Sequence, residues 1–152
     1  MDLYIEQFKA LGDKTRLAIL WLLNSVPGDL CVCEITDAIG ESHCNVSRHL
    51  KILKGAKLVK EKKEGRWVYF GLVKPQDRIQ ECLLQAMETI PAERFSRINE
   101  RLKLRLSLRS DGRCIDGVKS DRWQQAIHFI NGKEIKETRM NAESQYKEVR
   151  KK

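Results

Sequence analysis

The sequence predicts a mainly helical fold with a small β-hairpin: a winged helix-turn-helix, dimeric, with extra helices at its C-terminal end. Three observations predict it. Apolar residues recur at helical spacing through successive segments up to Leu53. The pattern then becomes two runs rich in β-branched and aromatic residues, flanking Glu64-Gly65. Helical spacing returns after Pro75.

Each element has its own local cause. Leu3, Ile5, Phe8 and Leu11 share a helical stripe that Gly12 ends. Asp13 is a good N-cap for an apolar helix from Thr15 to Ser25, and Pro27-Gly28-Asp29 breaks it. A short helix over Val32 to Ile39 ends at Gly40. Ser42 caps the next helix, which runs to about Leu53 with Val46, Leu50 and Leu53 as its buried side. Leu58 to Lys63 and Arg66 to Leu72 form the hairpin, with Trp67 and Tyr69 as sheet residues. Gln76 to Thr89 is helical, with Ile79, Leu83, Ala86 and Met87 on one face, and Pro91 marks a boundary. Beyond it come a basic amphipathic helix over Ala92 to Leu108, a turn at Ser110 to Arg113 and a short helix over Trp123 to Ile130. Asn131-Gly132 is another turn, and the last stretch is polar and weakly helical. Residues 1–90 therefore read as the DNA-binding and dimerisation domain, and 91–152 as a basic, partly helical extension.

Charge and cysteine usage narrow the function. The net charge of +8 is uneven: residues 41–66 carry eight Lys/Arg against three Asp/Glu, and residues 1–40 carry three against six. A basic stretch in the middle of such a fold is a phosphate-facing surface. No apolar run approaches the roughly 20 residues of a spanning helix, and Met1 to Glu6 lacks a signal-peptide pattern, so the expected location is cytoplasmic, without membrane contact. Five cysteines, an odd number, suit reduced thiols there. No nucleophile-base signature or phosphate loop is present, so no enzyme activity is expected.

Two motifs carry the chemistry. Cys31 and Cys33 stand one residue apart, and thiolates select soft ions over Mg²⁺ or Ca²⁺. Just downstream, the start of the next helix offers Ser42, His43, Asn45, Ser47, Arg48, His49 and Lys51, groups suited to base edges and phosphates in a major groove. Lys62, Lys63 and Arg66 at the hairpin tip neutralise phosphates without reading sequence. A single such domain touches one half-site, so tight binding to double-stranded operator DNA calls for a two-fold homodimer.

Residues from about Phe8 to Leu72 resemble the ArsR/SmtB family of metal-responsive repressors. The resemblance rests on Phe8 to Leu20, on Leu30-Cys31-Val32-Cys33-Glu34-Ile35, on Val46 to Leu53 and on Lys63 to Phe70, in that order and spacing. The cysteine pair resembles the arsenic-sensing branch, dimeric repressors of arsenic-resistance operons. This implies As(III) or Sb(III) as the inducer ligand, no cofactor for folding, and a dimer formed from the first helix and the helix after the wing. The chain departs from that branch at Thr36, where many members carry a third cysteine, at Cys44, where Pro or Ser is usual, and in its long tail.

Arsenite typically takes three thiolates, so a third ligand is sought among Cys44, Cys114 and Cys82, with a hydroxide as the alternative. Residues two apart do not meet on a regular helix but share a face in an extended segment. Binding is therefore expected to hold the first turn of the short helix out of helical geometry. Two alternatives share the fold: a thiol-redox or persulfide sensor pairing Cys33 with Cys82, and a Cd/Zn/Pb sensor.

Overall fold

The computed structural model describes residues 2–132. Helix α1 (Asp2–Leu11) leads into α2 (Lys14–Asn24), whose N-cap Asp13 accepts the amide hydrogens of Thr15 at 3.0 Å and Arg16 at 2.9 Å. Strand β1 (Leu30–Cys31) precedes α3 (Val32–Ile39), and α4 (His43–Gly55) follows with Ser42 as its cap. Strands β2 (Val59–Glu64) and β3 (Trp67–Leu72) form the hairpin. Helix α5 (Arg78–Glu88), a 3₁₀ turn (Ala92–Phe95) and α6 (Ser96–Leu106) complete the named elements, and residues 121–132 are helical.

The three strands form an antiparallel sheet in the order β1-β3-β2, with Leu30 opposite Phe70 and Cys31 opposite Tyr69. Two residues carry no period, so β1 was not legible in the sequence. The core joins Ile19, Leu20, Leu22 and Leu23 of α2 to Ile35 of α3 and to Val46, Leu50 and Leu53 of α4. Gly40 adopts φ 79° between α3 and α4, a left-handed C-cap that strains other residues. Removing the α2 cap with Asp13→Ala should cost about 1–2 kcal/mol of stability in urea unfolding.

Two expected features differ. The single helix over Ala92 to Leu108 is a 3₁₀ turn followed by the shorter α6, and Asn131-Gly132 is helical rather than a turn. The chain divides into two compact units, one reaching Val118 and one from Lys119 onward. Packing thus continues through Pro91, because α6 docks on α3. The expected polar end lies outside the described residues.

Candidate metal centre and DNA-reading face

Arg101 and Arg105, one turn apart on α6, and Arg109 just beyond its end hold α3 along its length. Arg101 donates to the carbonyls of Asp37 and Ala38, and its Nη2 lies 2.6 Å from the former. Arg105, wholly buried, places Nε 2.9 Å from Asp37 Oδ2 and Nη2 2.6 Å from the Asp116 carbonyl. Arg109 grips both carboxylate oxygens of Glu34 at 2.7 Å and donates to the Asp29 carbonyl. Bidentate guanidinium–carboxylate pairs of this kind fix orientation as well as attraction.

This clamp folds the segment after α6 back over the start of α3. Cys114 is 1% exposed, its amide donates to Tyr69 Oη at 3.0 Å, and Arg105 Nη2 lies 3.9 Å from its sulfur. Cys31 and Tyr69 pack with it, with Val32, Cys33 and Trp67 at the margin. Cys31 and Cys114 pack in one buried cluster with Cys33 against them, and side-chain hydrogen bonding with Cys31 shifts the pKa of each neighbouring thiol. The bond from Cys114 lowers the Cys31 pKa, but the bond to Cys33 and burial outweigh it and push the thiol to about 11. Cys33 is lowered, chiefly by its bond with Cys31, against burial. Cys114 is raised by Cys31 first and by burial second.

Of the three candidates for a third ligand, the fold brings only Cys114 to the pair. Cys44 is exposed on α4 and Cys82 is exposed on α5, and neither packs on the cluster. The redox pairing of Cys33 with Cys82 is not the one assembled here. Cys31 precedes α3 in extended backbone, at φ −65° and ψ 144°, and Cys33 sits in its first turn. The pair thus straddles the helix start, with Cys31 extended and Cys33 already helical. Among the described residues, no group of three His, Cys, Asp or Glu already stands in a metal-holding arrangement. The donor set still suits a thiophilic ion: two buried thiols, Cys31 and Cys114, with the half-buried Cys33 packed against them, beside a buried guanidinium.

The residues expected to contact DNA fall into two groups. His43, Arg48 and Lys51 are exposed on α4, with Lys62, Lys63 and Arg66 exposed at the wing. Ser47 is half-buried on α4. The others also serve the fold. Ser42 accepts the Asn45 amide at 3.2 Å, and the Asn45 side chain donates to Glu41. His49 turns inward, its Nδ1 3.6 Å from Asp13 Oδ1 and 3.5 Å from Arg16 Nη1. A cavity of about 670 Å³ lies between the two sites, with Cys33 and Val32 on one side and His43, Ser47, Lys51 and Arg66 on others.

Residues 13–61 match a family described as bacterial regulatory proteins of the arsR family. Over 78 residues the chain is 46% identical to an uncharacterized HTH-type transcriptional regulator, MJ1325 of Methanocaldococcus jannaschii, covering 51% of this chain and 84% of that protein. The chain belongs to the ArsR family. Relatives named for resistance also match. The arsenical resistance operon repressor of Escherichia coli is 43% identical over 68 residues, 45% of this chain and 57% of the repressor. A cadmium resistance regulator, the CadC homolog of Staphylococcus aureus, is 45% identical over 65 residues, 43% of this chain and 53% of its own. The chain thus spans little more than half the length of these two relatives. Among solved structures, the homodimeric winged helix-turn-helix DNA-binding domain of Mb0332 from Mycobacterium bovis matches at TM-score 0.50 and 27% identity, covering 62% of this chain and 83% of that one. Family membership makes this ArsR protein a DNA-binding transcriptional regulator of winged-helix fold, not an enzyme. No helix among the described residues is long and apolar enough to cross a membrane.

Proposed function

We propose that this protein is a thiol-gated repressor that holds double-stranded operator DNA as a homodimer and releases it when As(III) or Sb(III) is bound by Cys31, Cys33 and Cys114. One observation carries the reading: the segment after α6 returns to α3, and a buried third thiol there packs in one cluster with Cys31 and Cys33. Arsenous acid is neutral and gives up its three hydroxyls as water, each leaving with one thiol proton. Three sulfur–arsenic bonds form, and no charge enters the buried site.

The signal has a short path. Drawing Cys114 and Cys33 onto one atom pulls the Asp116 loop and the first turn of α3 together, and both are tied to Arg105. Helix α3 ends at Gly40, next to the cap of α4, and the cavity between Cys33 and the reading face leaves room for α3 to shift. The dimer is supported by exposed apolar residues on the two expected helices: Ile5 at 45% and Phe8 at 59% on α1, and Ile79 at 39% on α5.

The test is fluorescence anisotropy of the reduced protein on DNA upstream of its own gene, titrated with arsenite. Release by the wild type but not by Cys31→Ser/Cys33→Ser is the expected result. Tight DNA binding that arsenite leaves untouched in both proteins would refute the gating.

A further inference from the structure

Three thiolates around a trivalent metalloid make a neutral centre, whereas around a divalent cation they leave one negative charge. In a buried site that difference is large, because an uncompensated charge there is costly. Fixed charges surround the thiols of this protein. Arg105 approaches Cys114 and is met by Asp37 at 2.9 Å, and Arg109 is met by Glu34 at 2.7 Å. The side chains of Arg105, Asp37 and Glu34 are all at most 1% exposed.

We propose that Asp37 and Glu34 determine which ion the thiol site takes: by answering Arg105 and Arg109, they withhold the positive charge that an anionic tris-thiolate needs, and so favour a trivalent metalloid over a divalent thiophilic cation. This rests on the three-thiol reading above. Neither carboxylate is a ligand in this scheme; both act through charge at short range. Removing either one adds a unit of positive charge beside the sulfurs. That change stabilises the anionic cadmium centre and leaves the neutral arsenic centre nearly indifferent. At an effective dielectric constant near 20, one charge several ångströms away alters the ratio of affinities by on the order of tenfold or more.

The experiment titrates the reduced full-length protein separately with arsenite and with Cd²⁺, following the near-ultraviolet sulfur-to-ion absorption. Proteins compared are the wild type, Asp37→Asn, Asp37→Glu and Glu34→Gln, each checked for folding by circular dichroism. The expected result is a ratio of affinities shifted toward Cd²⁺ in Asp37→Asn and Glu34→Gln and restored in Asp37→Glu. A purely structural role would weaken both ions together and leave the ratio alone. Folded Asp37→Asn and Glu34→Gln proteins with the wild-type ratio would overturn the proposal. Should Asp37→Asn fail to fold, Glu34→Gln decides, since its partner Arg109 is partly exposed and tolerates loss of its counter-charge better. Failure of the three-thiol reading shows separately, as arsenite absorption that is absent in the wild type or insensitive to loss of Cys31, Cys33 and Cys114.

Discussion

Cys114→Ser should weaken arsenite binding by on the order of 100-fold or more, because a third ligand on the same chain binds at high effective concentration. Isothermal titration of the reduced protein reads this directly. The substitution is nearly isosteric, and the bond from the backbone amide of residue 114 to Tyr69 Oη does not involve the sulfur. The fold therefore survives, and the loss reports ligation. Cys44→Ser and Cys82→Ser should bind arsenite as the wild type does, since both residues are exposed outside the cluster. A loss in Cys44→Ser equal to that in Cys114→Ser would move the third ligand to the recognition helix.

Stability of the ligand-free protein should fall as pH rises from 9 to 11, and less so in Cys31→Ser. The Cys31 thiol has an ordinary value near 9 and is held at about 11 in the folded protein. The native state thus binds its proton more tightly than the unfolded chain. The resulting stabilisation is fully present below pH 9 and is lost as pH climbs through 11. A displacement of two pH units corresponds to on the order of 2–3 kcal/mol. Cys114 is raised as well and adds in the same direction, whereas Cys33 is lowered and opposes it. Urea midpoints of wild type and Cys31→Ser across this range check the effect of the thiol cluster, because alkaline groups away from it titrate alike in both. Parallel curves would show that the buried thiol contributes nothing.

Much of the architecture follows from local rules. The stripe of α1, the Asp13 and Ser42 caps, the left-handed Gly40 and the hairpin around Glu64-Gly65 each depend on neighbours within a few residues. Such features survive any tertiary arrangement, which is why these elements were legible. The Cys31–Cys33 pair and the basic stretch over residues 41–66 were legible for the same reason: they are statements about composition and spacing. Element ends were less so, as at α5, which begins at Arg78 after the Asp77 cap rather than at Gln76.

The sequence by itself determined that a thiol pair precedes a DNA-reading helix in a winged helix-turn-helix. It left three cysteines as equal candidates to join that pair, and treated His49 as a DNA contact. Tertiary structure shows where each stands: Cys114 beside the pair, His49 beside Asp13. Cys114 reaches the pair only because arginines on and just after α6 find Asp37, Glu34 and the carbonyls of α3, contacts between residues remote in the chain. His49 turns inward because α2 presents Asp13 beside it. Strand β1 exists only because β3 offers Tyr69 and Phe70 as partners. Periodicity reports which face of an element is apolar, and carries no information on which distant charge or thiol that face will meet.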